Sequence, residues 1–193
     1  MATELRGALE LRKALREFEP DLAKETQKEM AGFLKPLVKK SRGYITASSP
    51  LSGWAERPES KGRFPFYNAQ IAKRGITYRT SPTRPNSRGW VYLASIFNKS
   101  AAGAIYETAG RKNPQGQPWV GPKGPAGKRY SHSPNRNAGR QFINSMSPLQ
   151  GVGKLRGRAM FRAWNEDQGK VNAAVLKAIE SSAAKFKAKR GLV

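Results

Sequence analysis

The sequence predicts an α+β fold: a small antiparallel sheet flanked by N-terminal and C-terminal amphipathic helices, with long Gly/Pro-rich loops. Three observations point there. Apolar residues step by three and four near both ends of the chain, the period of a one-sided helix. Residues 90–98 (WVYLASIFN) are β-branched and aromatic, as strands are. Residues 41–65 and 110–140 have no sustained period and are rich in turn formers. At 193 residues the length suits a single domain. Its parts are a helical segment over 1–42, a core over 66–110 and 141–190, and long loops over 41–65 and 110–140.

Taken in order, Leu5, Leu9 and Leu15, with Leu11 and Phe18 beside them, predict a helix over 3–18 that Thr3 caps. Pro20 is tolerated in a first turn and opens a second helix, with Asp21 near its positive end. Leu22, Thr26, Met30, Phe33, Leu37 and Lys40 give it a stripe, and Pro36 predicts a kink or an end. Packing against its own domain is the plain expectation for this stripe. Packing between subunits is the sharper one, through Leu22, Met30, Phe33 and Leu37. Residues 66–80 predict a strand around Ile71, Ile76 and Tyr78, with Gly75 at a bulge or turn. Residues 90–98 predict the best strand, apolar on both faces and so covered on both sides.

Residues 99–110 predict a short helix from Ser100 to a stop at Gly110. Residues 110–140 then hold six glycines, five prolines, seven lysines and arginines, and no acid. So few large apolar groups cannot offset the ordering entropy, which predicts a mobile arm. Phe142, Ile143 and Met146 resume order. Leu155, Ala159, Phe161 and Trp164 predict a short helix or strand that carries Arg156, Arg158 and Arg162. Asn165, Glu166 and Asp167 supply a cap and first-turn acids for a longer helix. Its stripe is Val171, Val175, Ala178, Ile179, Ser182 and Phe186. Of these, Val171, Val175, Ile179 and Phe186 join the subunit-packing candidates.

Charge is the functional signal. Residues 60–165 carry nineteen lysines and arginines against one carboxylate, Glu107, so most of the net charge of +23 lies there. A one-signed field of that size destabilises a compact state by self-repulsion, and a polyanionic neighbour would offset it. The candidate contacts to nucleic acid or an acidic partner are Arg111, Lys112, Lys123, Lys128, Arg129, Arg136 and Arg140, interleaved with Trp119 and Tyr130. Cations for phosphates and an occasional ring to stack are what sequence-independent nucleic-acid contact requires.

Catalysis has little support in the sequence. There is no cysteine, and the one histidine, His132, has no carboxylate near it in sequence. Metal sites need clustered acids, and Glu107 stands alone in the middle. An ion pair of Glu107 with Arg79 or Arg111 is the expected structural use. Neither a cofactor nor a metal is expected. No stretch reaches the ~18 apolar residues of a membrane span.

Residues 101–110 (AAGAIYETAG) and the helical run over 158–186 resemble minor structural proteins of long-tailed bacteriophages: the neck, head-to-tail connector or tail-completion proteins. The resemblance implies a small α+β protein without enzymatic activity. It further implies a homo-oligomeric ring at the head–tail joint of the virion, assembled in the host cytoplasm. Adjacent neck and tail proteins, and the DNA backbone along the channel, would be its partners. A standalone, sequence-independent nucleic-acid-binding protein is the alternative that charge alone allows.

Overall fold

A computed structural model of the protein describes residues 7–49, 54, 67–87, 89, 91–118 and 135–191. Among these the order is α1 (Ala8–Phe18), α2 (Pro20–Gly43), α3 (Ala69–Gly75), β1 (Ile76–Arg79), β2 (Ser95–Asn98), α4 (Ala101–Thr108), α5 (Ala138–Asn144), α6 (Met160–Asp167) and α7 (Lys170–Lys189). Strands β1 and β2 pair as a two-stranded antiparallel sheet, and the fold is α+β as expected. The sequence reads as one domain, and the chain divides into two compact units. A terminal unit comprises Met1–Lys40, Thr77–Phe97 and Asp167–Val193; a central unit comprises Ser41–Ile76 and Asn98–Glu166.

The terminal unit is built on helical stripes. Ala8, Met30, Val175, Ala178 and Ile179 form one buried cluster, with Leu11, Phe33, Leu93 and Val171 packed against it. Leu15, Leu22 and Ala23 form a second, which Leu11 and Phe186 cover. Helix α2 does start at Pro20, and it runs through Pro36 to Gly43, so the proline does not end it. Helix α1 begins at Ala8, after Gly7, and Thr3 lies outside the described residues. Between α2 and α7 sits a buried hydroxyl pair, Thr26 Oγ1 and Ser182 Oγ, 2.6 Å apart. Each also lies within donating distance of the carbonyl four residues back, Leu22 O at 2.7 Å and Ala178 O at 2.8 Å. Two hydroxyl hydrogens serve these three contacts, so the pair acts as a unit.

Arg12 is the other buried polar anchor of this unit. Its Nη1 donates to Leu93 O at 2.9 Å and its Nη2 to Thr80 O. Burial, with Arg16 nearby, pushes the guanidinium pKa below its ordinary value. At the surface, Lys185 pairs with Glu25 at 2.7 Å and Lys189 with Glu19 at 2.9 Å, tying α7 to the start of α2 and the residue before it.

Two strand expectations hold over part of their range, at Ile76–Arg79 and Ser95–Asn98, and are corrected over the rest. Residues 69–75 are helix α3, because Asn68 Oδ1 caps it by accepting from Ile71 N at 3.0 Å. Ile71 is 59% exposed on that helix, and Gly75 closes the helix instead of forming a bulge. Of the described residues 91–98 only Ser95–Asn98 is strand, and its residues are half-buried, not covered on both faces. The partner β1 has four residues, so the ladder cannot extend further.

The central unit packs around aromatic rings. Trp54 lies 4.9 Å from Tyr67 and 5.1 Å, edge-on, from Phe142, with Tyr67 next to Tyr106 at 6.2 Å. Ile45, Ala72, Ile76, Ala102, Met146, Ala159 and Ala163 are buried in this unit as well. The composition of residues 41–65 predicts loop. Within them Ser41–Gly43 finish α2, and Ile45 and Trp54 are core; most of the remainder lies outside the described residues.

Candidate polyanion-facing site

The two described carboxylates of the central unit, Glu107 and Glu166, are both engaged within it, while Lys112, Arg136, Arg140 and Lys154 are exposed. Helix α4 starts as expected, with Ser100 Oγ accepting from Gly103 N at 3.1 Å, and Gly110 follows its end with a positive φ of 80°. Near that end Glu107 is 2% exposed. Its Oε2 accepts from Ala159 N at 2.8 Å and Met160 N at 3.0 Å, and its Oε1 from Phe161 N at 2.8 Å. These are the leading amides of α6, so a carboxylate from α4 caps the positive end of α6. Gly157 makes room: a Cβ there would lie 2.0 Å from Glu107 Oε1. The expected ion pair of Glu107 with Arg79 or Arg111 is therefore replaced by three backbone donors.

Arg158 completes the arrangement from the other side. It is also 2% exposed, and its Nη1 donates to Tyr106 O at 3.0 Å and Ala109 O at 2.7 Å, while Nε donates to Ser147 O. The guanidinium so caps the carbonyl end of α4, as Glu107 caps the amide end of α6. Burial lowers the Arg158 pKa from its ordinary value; Tyr106 and Glu107 oppose the shift. The residue stays charged at neutral pH.

The second described carboxylate of this unit, Glu166, is likewise engaged. Arg162 Nε donates to its Oε1 at 2.9 Å, and Tyr44 Oη donates to its Oε2. The Arg162 guanidinium stacks 4.0 Å from the Tyr44 ring centre. Asn165, Glu166 and Asp167 all belong to α6 and do not open the next helix; α7 has Gly169 at its N-cap, and Asp167 Oδ2 accepts from Val171 N at 2.7 Å. Against Glu107 and Glu166, the described residues of the central unit hold twelve lysines and arginines.

The predicted contact residues divide accordingly. Arg111 is half-buried, stacks 4.7 Å from the Phe161 ring centre and donates from Nη2 to Arg156 O. Arg156 returns the contact, Nη2 to Arg111 O at 3.4 Å. Arg111 is thus a brace at the foot of the basic segment. Lys112, Arg136 and Arg140 are exposed, Arg140 on α5. The two limbs of the segment meet at Gly116 and Gly139, where a Cβ on Gly116 would lie 2.2 Å from the Gly139 carbonyl carbon. Lys123, Lys128 and Arg129 lie outside the described residues, as do Trp119, Tyr130 and His132.

The subunit-packing candidates sit inside the terminal unit. Leu22, Met30, Leu37, Val175 and Ile179 are buried there, and Phe33, Val171 and Phe186 pack against its clusters. Their burial is the packing on its own unit that is the plain expectation for these stripes. Among the described residues no group of three or more His, Cys, Asp or Glu side chains is placed to hold a metal ion, and no helix is long and apolar enough to cross a membrane.

What this surface offers chemically is electrostatic attraction: exposed ammonium and guanidinium groups on a unit whose described carboxylates are already satisfied. Sequence reasoning missed Arg158 and Arg156 as structural cations. The signal was their spacing around Gly157 in a stretch with no acid between Glu107 and Glu166. No protein-family model, curated protein or solved structure matches the chain.

Proposed function

We propose that the protein is a non-enzymatic virion structural component, forming a homo-oligomeric ring at the head–tail joint of a tailed phage, with its basic central unit turned toward a polyanion. The observation that carries this reading is the commitment of both described central carboxylates, Glu107 to backbone amides and Glu166 to Arg162 and Tyr44. The surface cations around them keep a field that an external anion can neutralise. Genomic DNA passing through a ring, or an acidic neighbouring ring, supplies that anion. Backbone electrostatics tolerates any sequence, as DNA passage requires. The phage-like segments at 101–110 and 158–186 add the assembly context.

Negative-stain electron microscopy and light scattering of the purified protein, with and without duplex DNA, test this. Closed rings of defined mass are expected, with DNA affinity falling steeply as salt rises. A species that stays monomeric at all concentrations yet binds duplex tightly would overturn the ring reading in favour of a standalone nucleic-acid-binding protein.

A further inference from the structure

The turn between Gln150 and Gly157 is closed by a reciprocal pair of backbone hydrogen bonds, both 2.8 Å. Within it Leu155 N donates to Val152 O at 3.1 Å, and Arg156 Nε donates to Gly153 O at 3.2 Å. Gly151 takes a φ of 105° against the turn, where a Cβ would meet Leu155 O at 2.6 Å. Arg156 and Arg111 brace this turn against the foot of the basic segment. A turn held by so many contacts is pre-organised. At its tip it presents two apolar side chains to solvent, Val152 at 83% exposure and Leu155 at 56%, with exposed Lys154 between them.

Single exposed apolar groups are ordinary. Two of them within four residues, on a braced turn with a cation between, form a knob. We infer that this tip docks into an apolar notch with an acidic rim on another protein. The charges name the occupant. Lys154 on the tip and the Arg156 and Arg111 that brace it are all cationic, and the two described carboxylates of the central unit are engaged elsewhere. The same face of a second copy would meet it with like charge, which excludes a symmetric self-contact. A lipid surface needs no pre-organised shape, and two side chains of this size anchor weakly to one. A pocket gains from rigidity, since little freedom remains to be lost on binding. The inference rests on the assembly reading only in requiring a protein neighbour.

Placing a photo-cross-linking benzoylphenylalanine at position 152 in the full chain, in the cells that make it, tests this, with position 92 as the exposed control on the terminal unit. The expected adduct is a discrete partner peptide containing both apolar residues and carboxylates. Leu155→Asp should cut its yield about tenfold or more, because it removes apolar burial and reverses the local charge. Helical circular dichroism and the melting temperature of Leu155→Asp should match wild type, since the side chain is exposed. Adducts with nucleic acid, with lipid or with another copy of the chain would overturn the inference, as would no adduct or one indifferent to Leu155→Asp. Rings that persist without the adduct would sink this inference and leave the proposed function standing.

Discussion

Glu107→Gln is the most incisive perturbation of the central unit, because it preserves shape and removes charge. The carboxylate accepts three amides with two oxygens, at 2.8, 3.0 and 2.8 Å. An amide side chain has one oxygen. If that oxygen faces Ala159 N and Met160 N, its NH2 opposes Phe161 N; the flipped orientation opposes two donors. At least one buried N–H loses its acceptor, at about 1–3 kcal/mol. The bonds that survive fall from charge-assisted to neutral, roughly halving their strength. Loss of the anion at the α6 N-terminus removes a further ~0.3–1 kcal/mol. The sum is about 3–6 kcal/mol, a fall of at least ~12 °C in melting temperature at the ~4 °C per kcal/mol expected for a unit of about 100 residues. Urea and thermal unfolding followed by circular dichroism at 222 nm measure it. Glu166→Gln, on the exposed side of α6, is the control and should cost under ~1 kcal/mol. A folded Glu107→Gln protein within ~1 kcal/mol of wild type would refute the capping account.

Two further outcomes are expected. The Tyr67 phenol donates to Thr46 O, and burial pushes its pKa above the usual tyrosine range. The unfolded chain therefore ionises first: this contribution to stability is complete below the unfolded pKa of about 10 and is lost as pH rises through the folded value. Tyr67→Phe should flatten the alkaline limb of urea midpoints between pH 9 and 11 (roughly this window), and an unchanged limb would contradict the assignment. In the terminal unit, Thr26→Val and Ser182→Ala should each cost about 1–2 kcal/mol. The double variant should cost less than their sum, because the second change removes a partner already orphaned. Strict additivity in the denaturation cycle would separate the two hydroxyls.

What was legible in the sequence was whatever depended on near neighbours. The stripe of α7, the opening of α2 at Pro20 and the Ser100 cap of α4 all came from residues within a few positions of one another. Propensity alone hides helix α3, because Ile71, Ile76 and Thr77 weigh toward a strand. Asn68 as a cap, followed by the helix-tolerant AQIAKR, was the overlooked signal. The apolar run over 90–98 predicts a longer strand than Ser95–Asn98, because strand length is set by β1, a partner that the run itself does not encode. Glu107 was correctly read as structural but given the wrong partner. Its donors lie 52 to 54 residues away and are main-chain amides, which no side-chain pattern announces. The exposure of Leu155 was hidden for a similar reason: it was grouped with Ala159 and Phe161, whereas the bridge between Gln150 and Gly157 separates it from α6.

The buried pair and the surface cations do different physical work, and the distinction bears on partner recognition. Glu107 and Arg158 each meet helix ends and carbonyls at fixed distances, so their charges are balanced locally and project little field. Glu166 and Arg162 balance in the same way at the surface. The remaining described cations of the central unit stand outside these pairs, and their summed field reaches about 8 Å at physiological salt. Such a field draws any polyanion and distinguishes none. The Val152–Leu155 tip acts only at contact and only on a complementary shape. On the proposed reading the field brings an acidic neighbour or the genome to the central unit, and the tip fixes the register of a protein neighbour once it has arrived, a division between attraction and specificity that either feature alone could not supply.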